Sequence, residues 1–137
     1  MGILFEKDCD AKQLSPLTLA FIGDTVFDLF VREMLVCDAN RPVKKLHNSA
    51  SKLVNAKAQA KIAEALADKF TEQEAGVFKR GRNANSATIA RHATMSDYRR
   101  ATGFEALMGY LYLSGKMERL FELVKLGLEE PICDTKN

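Results

Sequence analysis

The chain has 137 residues, 47% of them hydrophobic and 28% charged, which fits one globular domain and excludes a disordered or fibrous chain. No apolar run approaches the ~18 residues of a membrane span, and three distant cysteines, Cys9, Cys37 and Cys133, offer neither a disulfide framework nor a zinc site. The net charge of +2 is unevenly spread: residues 41–100 carry 13 Lys and Arg against 5 Asp and Glu, and the flanks carry 7 against 13. A basic middle suits a polyanion such as nucleic acid, and equally a solvated Lys-rich helical face.

In chain order, MGILFEKDCD turns acidic after five residues and lacks the apolar stretch of a signal peptide; the odd, distant cysteines make a reducing cytoplasm the expected setting. Ser15-Pro16 is a helix start, an N-cap followed by proline at the first helical position. The helix runs to about Val36, with apolar residues on so many sides that it reads as central. CDANRP is a loop, and Pro42 opens a short helix to about Ala50. SKLVNAKAQAKIAEALADKF, residues 51–70, is rich in strong helix formers. Thr71 and Glu74 have capping-box spacing and begin another helix, to about Arg80. Residues 81–96 lack a period and read as a loop, Asp97 caps a helix to about Ser114, and Gly115 ends it. A last helix spans Lys116 to about Leu128, and residues 131–137 read as a frayed tail. With no alternating strand pattern, the expectation is one all-α domain over residues 1–137, with a core at about 15–128.

Two carboxylates stand in apolar company, Asp24 in LAFIGDTVFDLFV and Glu105 in TGFEALMGYLYL. Burying an isolated carboxylate is costly, so each needs a cation, a proton or an ion-pair partner. Gly23 and Gly103 lie within two residues of the acids, and glycine inside a helix costs roughly 1 kcal/mol relative to alanine. That cost points to close helix approach, which would bring the two acid-bearing helices together. An ion pair suffices for one such acid; two favour a shared hard cation, Mg²⁺ or Mn²⁺. Asp28, one turn after Asp24, suits an ordinary helix pair with Arg32. His47 and His92 have no partner histidine nearby in sequence. Lys79, Arg80, Arg82 and Asn83 cluster around Gly81, and the stretch from Asn55 through Lys57 to Gln59 adds polar reach, so both suit phosphate and ribose contacts or a solvated helix end.

The stretch Phe21-Ile-Gly-Asp24-Thr-Val resembles the FLGD(S/A)V signature of the ribonuclease III catalytic domain. Phe104-Glu105-Ala-Leu-Met-Gly109 resembles that family's second acidic motif. From about Ser15 to Leu128 the chain is similar to Mini-ribonuclease III, the bacterial subfamily with the catalytic domain alone, most specifically at Lys79–Asn83 and Thr102–Leu113. The resemblance implies an all-helical homodimer with a valley for double-stranded RNA. It implies Mg²⁺-dependent hydrolysis leaving 5′-phosphates, and maturation of precursor large-subunit (23S) ribosomal RNA. Asp24 and Glu105 match the metal-binding catalytic acids, and Phe21 matches an aromatic of the dimer interface. Lys57, Lys79, Arg80, Arg82 and Asn83 are then the expected RNA contacts.

The sequence departs from the full-length family at two positions, where Ala20 and Thr102 replace acids and leave two acids per subunit, and no double-stranded-RNA-binding domain is expected after the catalytic core. Two other readings remain open. An all-α nucleoside triphosphate pyrophosphohydrolase would need ExxE-like acid clusters, which are missing beside Asp24. A non-catalytic RNA-binding protein of the same fold would have no need of Asp24 and Glu105, and both are present.

Overall fold

The computed structural model describes residues 9–84 and 94–136, with side chains as far as Glu129. All regular structure among them is helical: α1 (Pro16–Asp38), α2 (Val43–Val54), α3 (Ala56–Leu66), α4 (Glu72–Asn83), α5 (Met95–Leu113) and α6 (Met117–Lys136), with short 3-10 turns at Ala11–Gln13 and Ala67–Lys69. The starts obey local chemistry. Ser15 Oγ accepts from the Thr18 amide at 3.2 Å, with Pro16 at the first helical position. Thr71 and Glu74 form the reciprocal capping box, at 2.9 and 3.1 Å. Gly115, at φ 73°, ends α5 in the left-handed region that glycine enters without penalty.

Helix α5 is the axis of the fold. From Ala101 to Leu111 every residue is buried except Glu105, which is half-buried. Helices α1, α3 and α4 pack around it, and α6 closes over α3 and α5. Phe27 meets Phe104 edge to face at 5.0 Å, and both are fully buried with Leu107, Leu111, Leu120 and Leu123. Each side chain of that size contributes about 1.5–3 kcal/mol by burial.

Four boundaries differ from the sequence expectation. The second helix continues to Val54, and the break falls at Asn55 rather than Ser51. Asn55 bonds on both sides of the break: its amide donates to Ser51 O at 2.9 Å, and its Oδ1 accepts from the Ala58 amide at 2.8 Å. An amide side chain that serves two helix ends outweighs the helix propensity of its neighbours. Helix α4 reaches Asn83, so residues 81–83 of the expected loop are helical and continue the helix that carries Lys79 and Arg80; residues 85–93 of that loop lie outside the described residues. Thr94, not Asp97, caps α5, accepting from the Asp97 amide at 3.0 Å. The last helix runs to Lys136, past the expected end at Leu128 and through all but the final residue of the expected tail.

Candidate active site

The site is built on a crossing with no side-chain spacer. An ideal Cβ added to Gly23 of α1 would lie 1.7 Å from the Glu105 carbonyl oxygen and 2.8 Å from the Gly109 amide nitrogen of α5. A Cβ on Gly109 would lie 2.1 Å from the Leu19 carbonyl oxygen. Backbone therefore touches backbone, and the two helices run antiparallel there, with Leu19 opposite Gly109 and Gly23 opposite Glu105. Gly103 does not take part. Its Cβ would meet Phe78, 2.7 Å from the carbonyl oxygen, so it packs α4 rather than α1. Gly81 faces it across that second crossing, where a Cβ would lie 2.8 Å from Gly103 Cα and from Ala106 Cβ. The cost of glycine in these helices signals close approach correctly, but it does not name the partner helix.

Asp24 and Glu105 meet at the first crossing. Burial pushes the Glu105 carboxyl up to about 9, and a hydrogen bond with Asp24 and the charge of Asp24 push it the same way. Glu105 therefore keeps its proton at neutral pH in the metal-free protein. The burial argument applies to Glu105 alone: Asp24 lies on an exposed face of α1, because its apolar neighbours in sequence point elsewhere around the helix. Two carboxyls in contact at such a crossing form a donor set suited to a hard divalent cation. Among the described residues no third His, Cys, Asp or Glu joins them in a metal-binding cluster. Ala20 and Thr102, one turn before each acid, are buried and bring no carboxylate; the Thr102 hydroxyl donates to Tyr98 O at 3.0 Å. Asp28 pairs with Arg32 at 3.1 Å, as its spacing indicates.

The remaining candidates lie on α1, α2, α3 and α4. Lys57, in the first turn of α3, is exposed, as are Lys79, Arg80 and Asn83 on α4, and Arg82 is half-buried with Nε 3.4 Å from Asn83 Oδ1. Arg80 and Arg82 occupy the last turn of α4, where cations also complement the helix dipole. Gln59 is buried and offers no polar reach, a correction that follows from the break at Asn55, which turns this face of α3 inward. Phe21 is 83% exposed, an unusual position for a phenylalanine. His47 is exposed on α2, and His92 lies outside the described residues.

An acid pair on two helices that cross at glycines, within an all-α core, marks the class of protein as a helical one with a two-carboxylate site suited to a divalent cation. Residues 17–116, which include both acids and both crossings, match the ribonuclease III domain. The chain is similar to Mini-ribonuclease 3 of Thermoanaerobacter sp., at 47% identity over 133 residues and 94% of each chain. It is similar to Mini-ribonuclease 3 of Clostridium tetani, at 45% identity over 92% of this chain and 83% of that one. Its fold is similar to the crystal structure of a Fusobacterium nucleatum protein, with a TM-score of 0.82 and 28% identity over 90% of this chain and 94% of that one. The chain belongs to the ribonuclease III family, within its Mini-ribonuclease III branch, and is an endoribonuclease of that family, whose members act on double-stranded RNA.

Proposed function

We propose that the protein is a homodimeric, Mg²⁺-dependent endonuclease of double-stranded RNA, with Mn²⁺ as a substitute, and that it trims precursor 23S ribosomal RNA in the cytoplasm. The observation that carries the reading is the Asp24–Glu105 pair, two carboxyls in hydrogen-bond contact at a backbone-to-backbone crossing. Asp24 and Glu105 would hold the cation, which when bound would supply a lowered water pKa and charge neutralisation at the scissile phosphate. The remaining tasks fall to this chain's own residues. The crossing fixes where the two carboxylates stand, with Glu105 half-buried beside it. Lys57, Lys79, Arg80, Arg82 and Asn83 grip an A-form duplex through phosphates and 2′-hydroxyls, so shape governs substrate choice more than base sequence does. The ribosomal target rests on the family likeness.

Incubation of long double-stranded RNA with Mg²⁺ should give fragments with 5′-phosphates, while single-stranded RNA and nucleoside triphosphates remain intact. Hydrolysis of the triphosphates instead would replace this reading with the pyrophosphohydrolase. Among the described residues no helix is long and apolar enough to cross a membrane.

The dimer reading draws on one face of α1, where Leu17, Phe21, Leu29 and Val36 are 41%, 83%, 64% and 59% exposed. Apolar surface of this extent on one helix needs a cover. Phe21→Asp should raise the dimer dissociation constant ~30-fold or more, the effect of losing about 2 kcal/mol at an interface centre. Light scattering at micromolar concentration checks this; a wild-type mass of one chain removes the dimer.

Arg80→Ala with Arg82→Ala should weaken binding to duplexes of any sequence. The slope of log affinity against log salt should fall by roughly 0.9 per lost contact on the B-DNA scale. Cleavage at saturating RNA should survive. Normal binding with lost cleavage at saturation would move these residues into the catalytic step.

A further inference from the structure

We infer that Gly23 is a positioning residue for the acid pair: its missing side chain sets the spacing between Asp24 and Glu105. The inference rests on the metal-ligand reading above and extends it to a residue that carries no chemistry. A Cβ at Gly23 would lie 1.7 Å from the carbonyl oxygen and 2.7 Å from the carbonyl carbon of Glu105. Those are backbone atoms of a buried helix, so no side-chain rotation relieves the clash. To reach ordinary contact at 3.4 Å, the backbones must part by about 1.7 Å.

The struck carbonyl belongs to one acid, and Asp24, the other, is the next residue along α1. Separation at this point is therefore separation of the two ligands. A Mg²⁺ ion held at about 2.0–2.1 Å from each oxygen does not tolerate a gap of that size. Gly103 supplies the contrast. It also lies two residues from Glu105 on α5, and its Cβ would clash just as firmly, with Phe78 O at 2.7 Å. There the displaced neighbour is α4, and the α1 crossing is left alone. Equal loss of packing at the two glycines should thus have unequal consequences for the metal.

The test measures Mn²⁺ binding to the RNA-free full chain by calorimetry, so that it does not depend on cleavage. Gly23→Ala should weaken Mn²⁺ binding about tenfold or more, in line with the loss of a residue that orients metal ligands. Gly103→Ala should change it less than about twofold, even where melting shows a comparable loss of stability. Asp24→Glu, which lengthens the acid by about 1.5 Å, should weaken binding in the wild-type background. In the Gly23→Ala background it should restore binding, because the longer side chain spans the opened crossing. That reversal of sign is specific to spacing; a general loss of packing would not produce it.

Wild-type Mn²⁺ affinity in Gly23→Ala, or equal losses in Gly23→Ala and Gly103→Ala, would overturn the inference. If Gly23→Ala does not fold, Gly109→Ala opens the same crossing from α5 and takes its place. Asp24→Glu alone needs no glycine change, and unaltered binding in that variant overturns the inference by itself. Wild-type protein that binds Mn²⁺ no better than Asp24→Asn would instead refute the metal-ligand reading.

Discussion

Asp24→Asn and Glu105→Gln should each lower cleavage of double-stranded RNA by roughly 10³-fold, the scale of losing an electrostatic group at a reacting phosphate. Both variants should keep the helical fold and RNA affinity. Each change removes a charge and keeps the shape, so the crossing at Gly23 remains packed. Single-turnover cleavage in Mg²⁺, beside circular dichroism and a binding titration, checks this; near-normal cleavage by either variant rejects the assignment. A second readout distinguishes the acids from a neutral hydrogen-bonded pair. Glu105 is held up to about 9 against an ordinary value of 4.5. The folded, metal-free protein therefore retains a proton that the unfolded chain releases. The contribution of Glu105 to stability is greatest below about 4.5 and falls as pH rises through that window towards 9. Glu105→Gln removes this dependence, so at pH 8 without metal the inactive variant should melt higher than the wild type. Added Mg²⁺ should close the gap, and its affinity should rise with pH over the same window because binding expels the proton.

The helices were legible where one residue settles the local geometry. Ser15-Pro16, the Thr71–Glu74 box and Gly115 each satisfy or end a helix on their own, and all three stand where the sequence puts them. The break at Asn55 was not legible. Ala, Lys and Leu on both sides favour helix, and only the finished backbone shows one amide bonding to both helix ends. The acids were legible as a pair because each carboxylate lies in an apolar run beside a glycine. Their unequal burial was not, since it depends on which side of α1 remains uncovered. Gly103 shows the same limit. Its conformational cost can be read from sequence, but its partner, Phe78 on α4, depends on how α4 lies across α5. Gly81 stands among cations in the sequence, and the structure gives it a packing role as well, against Gly103 and Ala106.

Arg119→Ala should cost about 2–3 kcal/mol of folding stability, below the range for a fully buried pair because Arg119 keeps some solvent contact. No sequence motif announces this residue, yet it ties three parts of the chain together. Its Nε and Nη2 each reach a Glu74 carboxylate oxygen at 2.9 Å, a two-pronged contact that fixes α6 on α4. Nη2 also donates to Lys69 O at 2.6 Å, at the turn before α4, and Nη1 donates to Glu122 at 2.9 Å. Glu74 is 5% exposed and already serves the capping box, so its charge depends on Arg119. Burial alone would raise the Glu74 carboxyl. The hydrogen bonds and charge of Arg119, with the bonds from Thr71, outweigh burial and hold it below 4.5. A carboxylate lowered in this way stabilises the fold above about 4.5, and the contribution disappears as pH falls through its lowered value. Arg119→Ala should accordingly lower the melting temperature by roughly 10 °C at pH 7, and the deficit should shrink in acid as Glu74 takes up its proton. Glu74→Gln in the Arg119→Ala background should recover part of the loss, because the amide keeps the shape and removes the unpaired charge. Melting curves at pH 7 and pH 4 for the two single variants and the double variant test the network. A loss in Arg119→Ala that is equal at both pH values would mean that the residue acts by packing alone.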